Sequence, residues 1–156
     1  MGAINPTAYI ILIARLIVSA AFIFAALPKI QDPISFASSV EGYQLLTGTA
    51  VLWVALLLPW LELVIGAGLF VPQMRRGSAL IVSALLLLFI GLHTSAWIRG
   101  LDIECGCFGE AASGAMDSYL WLILRNTALL MASLAVLMRD WKKPDRMRAR
   151  PAAQVP

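Results

Sequence analysis

Two cysteines, Cys105 and Cys107, stand on either side of one glycine in the stretch ECGCFG. Thiols this close in sequence can form a disulfide, provide part of a metal site, or shape a turn. A bridge would need the two Cα atoms within about 7 Å, and Gly106 permits the φ angles of so tight a turn. Which chemistry applies depends on the compartment that the pair faces, and therefore on the rest of the chain.

A disulfide between these cysteines would close a very small ring. It would gain little unfolded-state entropy and should be strained and easily reduced, so exchange chemistry explains the pair better than covalent stabilisation does. Glu104 and Glu110 oppose thiolate formation, and Arg99 or a buried cation would have to offset them. A permanently oxidised turn remains open, as does a Cu(I) site. A structural zinc site would need four ligands, so we predict no bound metal.

Four apolar runs dominate the chain, which has 156 residues, 60% of them apolar and 13% charged. A soluble domain usually has about 25% charged residues. The runs cover residues 8–28, 50–71, 78–98 and 118–138. Each has about the 20 residues that a helix needs to cross a bilayer. The sequence therefore predicts an all-α integral membrane four-helix bundle over residues 1–140, followed by a basic tail over residues 141–156.

Basic residues in the short loops set the expected orientation. Arg75 and Arg76 lie between the second and third runs, and the tail is rich in Lys and Arg. The other two loops are mainly acidic. We therefore expect a multi-pass membrane protein, with both termini cytoplasmic and the cysteine loop on the outer side, where disulfides persist. The net charge of +3 reflects this topology, contact with membrane lipid follows from it, and no nucleic-acid partner is implied.

A short helical pattern follows the first run. Asp32 can cap a helix in which Pro33 takes the first position. One face would carry Ile34, Ala37, Val40 and Tyr43. We expect this short amphipathic helix to lie along the outer membrane surface as a lid over the bundle.

Ionisable side chains interrupt the apolar runs, and such groups usually face the bundle interior in pairs. Helical rise places Arg15 and Glu62 at similar depths, so we predict an ion pair between them, which would either lock the bundle or serve a function. Lys29 ends the first run. Arg125 and His93 lie at comparable depths beneath the cysteine loop. Arg125 could stabilise a thiolate or hold a quinone carbonyl, whereas His93 could simply bond a neighbouring backbone group.

The sequence resembles the MauE family of methylamine-utilisation proteins, within the wider DoxX-like group. The likeness covers nearly the whole chain up to about residue 140 and is carried by ARLIVSAAFIFAALPKIQDPISFASSVEGYQLL, LLPWLELVIGAGL, WIRGLDIECGCFG and LRNTALL. Carried over by position, the family's marked residues are Arg15, Lys29, Pro33, Tyr43, Pro59, Glu62, Cys105, Cys107, Phe108, Gly109, Arg125 and Asn126.

The resemblance implies a four-helix bundle of the bacterial inner membrane, with the cysteine loop in the periplasm. Such a protein would help to mature periplasmic redox enzymes, alongside a thioredoxin-fold partner. Together with the residues, it leads us to expect a thiol–disulfide relay in which Cys105 and Cys107 are catalytic. Analogy with other four-helix disulfide membrane proteins adds a quinone near Arg125, His93 and Glu62. The supporting residues would be Arg15, Lys29 and Asn126.

Two other functions remain open. One is a non-catalytic assembly partner that docks a periplasmic protein, and the other is a small-solute or Cu(I) carrier. The stretch GAGLF and Gly91 would permit close helix contact, so a homodimer also remains open. The sequence does not identify the client, the direction of electron flow, or the cysteine that attacks first.

Overall fold

A computed structural model describes residues 6–101 and 115–142, and the regular structure in these ranges is helical. The helices in chain order are α1 (Pro6–Gln31), α2 (Pro33–Gly42), α3 (Thr49–Gly68), α4 (Arg75–Ile98) and α5 (Ala115–Lys142). The predicted catalytic residues, Cys105 and Cys107, lie outside the described residues, as does the chain from residue 143 onward.

Four of these helices are long and apolar enough to cross a membrane. Their spanning segments are Thr7–Gln31, Thr49–Gly68, Arg75–Ile98 and Tyr119–Trp141. Many large apolar side chains on them point away from the bundle, such as Leu57, which is 60% exposed, and Leu124, which is 64% exposed. Such a surface is stable where lipid tails cover it. The predicted all-α membrane bundle with four spans is confirmed.

The four spans pack as a ring of neighbours. α1 lies against α3 and α5, and α4 completes the ring by packing against the same two helices. The shared apolar core includes Phe22, Leu69, Leu86 and Val136. We call the end where α1 and α4 finish and α5 begins the cysteine end, because Cys105 and Cys107 fall between α4 and α5. The opposite end, where α5 finishes, is the tail end.

Close contact between α1 and α3 toward the tail end depends on a glycine. Ser19 Oγ of α1 donates to the carbonyl oxygen of Gly66 in α3 at 2.7 Å. A Cβ atom on Gly66 would lie 3.1 Å from Ile23 Cγ1 and 3.3 Å from Phe22 Cβ. The backbones therefore approach as closely as they do only because this position has no side chain, which is a common device in membrane helix pairs.

Two serines join α4 to α5. Ser83 Oγ donates to the carbonyl oxygen of Ala79 at 2.8 Å, and Ser133 Oγ bonds the same carbonyl at 3.2 Å. The two hydroxyl oxygens are 3.0 Å apart. This small buried network satisfies its polar atoms locally, as is needed where no water is present.

The short helix α2 begins as predicted. Asp32 Oδ1 accepts a hydrogen bond from the Ser35 backbone N–H at 3.0 Å, and Pro33 occupies the first turn. Of the predicted apolar face, Ile34 is 82% exposed. Phe36 lies outside that face and packs against the Lys29 ammonium, with its ring centroid 5.0 Å from Nζ. The face of α2 that meets the bundle is therefore rotated from the predicted one.

Candidate functional site

Lys29 of α1 and Glu62 of α3 form a buried ion pair. Lys29 Nζ donates to Glu62 Oε1 at 2.7 Å and to Oε2 at 2.8 Å. The side chains are 6% and 1% exposed, respectively. Counted from the contact of Ser19 with Gly66, the two backbones differ in height by about 9 Å. The side chains close this gap because α1 and α3 are antiparallel and side chains lean toward the N-terminus of their own helix.

The predicted ion pair between Arg15 and Glu62 is wrong. Arg15 Nη2 instead bonds both carboxylate oxygens of Asp140 in α5, at 3.3 and 3.0 Å. The Arg15 side chain leans toward the tail end and the Glu62 side chain leans toward the cysteine end, so they point away from each other. Depth along a helix axis alone could not reveal this difference in direction.

A cavity of about 420 Å³ lies between the ends of the bundle, bordered by all five helices. Its walls are mostly apolar and aromatic. The charged and hydrogen-bonding side chains among them include Lys29, Glu62, His93, Arg125 and Asn126. These are the supporting residues predicted from the sequence, with the exception of Arg15, which does not line the cavity.

His93 bonds its own helix. Its Nδ1 contacts the carbonyl oxygen of Phe89, one turn earlier in α4. A carbonyl oxygen can only accept, so Nδ1 carries the proton and Nε2 is the proton-accepting nitrogen of the neutral ring. Tyr43 meets the imidazole edge-on, with ring centroids 6.2 Å apart. His93 thus bonds a neighbouring backbone group through Nδ1, which is one of the two roles considered from the sequence. Its ring also borders the cavity.

Arg125 and Asn126 come from neighbouring positions of α5. Asn126 is buried, with 4% of its surface exposed, and Arg125 is half-buried. Both line the cavity, on a different helix from Lys29 and Glu62. They bring a guanidinium and an amide to a region whose other walls are mainly leucine and phenylalanine. The site therefore combines charged groups of α1 and α3 with polar groups of α5.

The short helix α2 closes part of the cavity. Phe36, Ser39, Val40 and Tyr43 contribute to its wall. Just beyond α2, the Tyr43 carbonyl accepts from Arg99 Nη1 at 2.8 Å, and Gln44 Oε1 accepts from Arg99 Nη2 at 3.3 Å. Because Arg99 caps the C-terminus of α4, these bonds tie the lid to the cysteine end. The predicted lid position is thus supported by direct contacts.

The chain on either side of the cysteines is anchored. Tyr119 Oη, in the first turns of α5, donates to the Leu101 carbonyl oxygen at 2.6 Å, and the Tyr119 side chain is 5% exposed. Leu101 follows α4 directly. The segment that contains Cys105 and Cys107 therefore leaves and re-enters the described structure at neighbouring points of the cysteine end.

Sequence reasoning missed Asp140, which lies just beyond the fourth apolar run, residues 118–138. A periodic signal could have found it. Buried residues recur every seven positions along α5, the spacing of a helix seam that faces its neighbours. They are Tyr119, Asn126, Ser133 and Asp140. Since the seam extends past residue 138, it indicates that α5 continues beyond the predicted span.

Comparison with known proteins connects this architecture to one family. The model of the family described as methylamine utilisation protein MauE matches residues 7–139. The chain is 34% identical over 133 residues to methylamine utilization protein MauE of Methylophilus methylotrophus, covering 85% of this chain and 68% of that protein. It is 33% identical over 124 residues to the protein of the same name from Paracoccus denitrificans, covering 78% and 65%.

The matched region spans about two-thirds of the length of these relatives. No solved structure matches the fold. The family model covers most of this chain and all four spans, from the beginning of α1 to near the end of α5. The chain therefore belongs to the MauE family of methylamine utilisation proteins.

Proposed function

We propose that this protein is a membrane thiol–disulfide relay. Cys105 and Cys107 exchange a disulfide with a periplasmic thioredoxin-fold protein, which in turn serves the maturation of redox enzymes. The observation that carries the proposal is the anchoring of the cysteine segment. Tyr119 Oη bonds the Leu101 carbonyl oxygen, so the described residues that flank the cysteine segment meet at the cysteine end of the bundle.

The orientation of the bundle follows from the same charge argument. Arg75 and Arg76 lie near the tail end, in the segment where α4 begins, and the basic tail follows α5. Positively charged loops stay in the cytoplasm. We therefore place the tail end in the cytoplasm of a bacterial inner membrane and the cysteine end in the periplasm. A redox-active disulfide can persist there.

The exchange itself needs only groups that the two proteins carry. A thiolate of one protein attacks the disulfide of the other, forms a mixed disulfide and releases one thiolate. The remaining cysteine of the attacking protein then resolves the mixed disulfide. One S–S bond is made, one is broken, and two electrons pass between the proteins. The short CGC spacing suits this chemistry, because a disulfide across one residue is readily reduced.

Single and double Cys→Ser variants test the relay. Membranes with the Cys105→Ser or Cys107→Ser variant are quenched with acid and analysed without reduction. One single variant should trap a mixed disulfide with a thioredoxin-fold protein, because the resolving thiol is missing. The double variant should trap none and should leave periplasmic redox enzymes immature. Tyr9→Ser, an exposed change on α1, is the control that should behave as wild type.

The opposite result would identify a different role. If the double variant supports maturation as well as the wild type does, the cysteines only shape a turn. The protein would then be an assembly partner that docks a periplasmic protein through its loops at the cysteine end.

A further inference from the structure

We propose that the cavity binds a membrane quinone, which exchanges two electrons with the cysteine pair. This inference rests on the proposed relay for its redox role, whereas binding of the quinone rests on the cavity alone. The binding residues are Lys29, held by Glu62, together with Arg125 and Asn126 of α5.

The size and walls of the cavity select a lipophilic ligand. Its volume of about 420 Å³ falls within the range of about 300–1,000 Å³ that small-molecule sites occupy. Leucine, valine and phenylalanine side chains form most of the wall, and the site lies between helices that span the membrane. A ligand that reaches it is one that already dissolves in the bilayer.

The polar groups of the cavity are mainly donors. Two of the three N–H groups of the Lys29 ammonium bond Glu62, and within the described ranges no carbonyl or carboxylate accepts the third. Arg125 has donors only, and Asn126 has an NH₂ group. Glu62 is the one carboxylate among the described residues that line the cavity, and Lys29 already bonds it. The cavity therefore favours a ligand with electron-rich oxygen acceptors.

The donors lie on two different helices, which favours a ligand with more than one acceptor group. Lys29 belongs to α1, whereas Arg125 and Asn126 belong to α5. A p-quinone has a carbonyl oxygen on both sides of its ring and can engage both groups. A fatty acid has its acceptors at one end only.

Aromatic side chains provide flat surfaces beside the ammonium. The ring centroids of Phe36 and Phe89 lie 5.0 and 5.6 Å from Lys29 Nζ, and Tyr43 also lines the cavity. Planar ligands pack well against such rings. The cation is thus held next to surfaces on which a quinone ring can lie.

The redox step balances. Oxidation of the reduced cysteine pair breaks two S–H bonds and forms one S–S bond, which releases two electrons and two protons. The quinone takes both, and each carbonyl oxygen becomes a hydroxyl of the quinol. The reverse step uses the same atoms. His93 also borders the cavity.

Two matched double variants test the binding site. Each removes one buried ion pair as a unit, so that no uncompensated charge is left. Lys29→Met/Glu62→Gln changes the pair that lines the cavity, and Arg15→Met/Asp140→Asn changes the pair that does not. The probe is decylubiquinone, titrated against the purified full chain in detergent. The first variant should lose affinity by about tenfold or more, and the second should stay within about twofold of wild type.

Filling the cavity gives a second, independent test. Leu58 lines the cavity, whereas the adjacent Leu57 faces away and is 60% exposed. Leu58→Trp should abolish decylubiquinone binding, and Leu57→Trp should leave it unchanged. Equal binding by both variants would overturn the site. Displacement of the quinone by equimolar oleate would also overturn the proposal, because it would identify a general acyl-chain site.

The Cys105→Ser/Cys107→Ser variant separates this inference from the relay. It should bind decylubiquinone like wild type and fail to reduce or oxidise it. If the wild type binds no quinone while the cysteines are still needed for maturation, this inference fails and the relay stands. If the quinone binds while the cysteines are dispensable, the relay and the electron exchange fail together.

Discussion

Two regions of the bundle each hold one buried ion pair formed by a side chain of α1. In the tail region, Arg15 lies 3.0 Å from Asp140. In the cavity region, Lys29 lies 2.7 Å from Glu62. Near the first pair, α1 and α3 touch closely at Gly66. The second pair borders the cavity of about 420 Å³.

This difference separates stability from function. Protein interiors are normally close-packed, and a void forfeits dispersion contacts along its walls. Close contact at Gly66 is therefore what stability alone would produce. A large cavity beside two charged side chains does not stabilise the bundle, so we infer that it is kept for a ligand. Buried ion pairs are by themselves weak evidence for either role.

The largest effect should follow from breaking the ion pair of the cavity region. Glu62→Leu leaves the Lys29 ammonium buried without its carboxylate, and should lower the free energy of unfolding by about 3–5 kcal/mol. Asp140→Leu should cost less, because the longer Arg15 side chain lies nearer a membrane interface and can reach it. Unfolding in sodium dodecyl sulfate, followed by circular dichroism, measures both.

The double variant Lys29→Met/Glu62→Leu is the control for this prediction. It should recover most of the lost stability, since no lone charge remains. A double variant as unstable as Glu62→Leu alone would show that the pair locks the bundle, and would contradict the distinction between the two regions.

A smaller effect should follow from separating α1 and α3 in the tail region. Gly66→Leu forces a side chain against Phe22 and Ile23, and should lower the free energy of unfolding by about 1–3 kcal/mol. Gly91→Leu is the matched change on α4, where a Cβ atom would meet nothing within 4 Å. It should be close to neutral in the same assay. Equal costs at both glycines would rule out close helix packing as the reason for Gly66.

The smallest effect should come from adding volume to the cavity. Leu58→Trp has room, so its free energy of unfolding should stay within about 0.5 kcal/mol of wild type. Leu69→Trp enlarges a side chain that is 1% exposed in the packed core, and should cost about 1–3 kcal/mol. If Leu58→Trp is as destabilising as Leu69→Trp, the cavity is not open in the folded protein.

The spans could be predicted from sequence because about 20 consecutive apolar residues have few other uses in a short chain. The start of α2 could also be predicted, since Asp32 and Pro33 are the residue types that begin a helix. The partners in the two ion pairs could not be predicted. The sequence places Arg15 and Glu62 at similar depths, but relative to the contact of Ser19 with Gly66 their backbones differ in height by about 12 Å. Their side chains also lean in opposite directions, and this depends on which helices are antiparallel neighbours.

The cavity likewise escaped prediction, although its polar residues did not. Lys29, His93 and Arg125 were each notable as charged or titratable groups within or next to apolar runs. Their convergence depends on how α2 folds back over the bundle, and in particular on the contact of Phe36 with the Lys29 ammonium. No periodic pattern in the chain encodes that contact.

The most direct test of the relay is the reduction potential of Cys105 and Cys107 in native membranes. The thiols are labelled with a mass tag after equilibration across a dithiothreitol series. We predict a midpoint between about −270 and −120 mV, the range of thioredoxin-like oxidoreductases. A bridge that resists reduction below about −300 mV would be structural, and would contradict the relay.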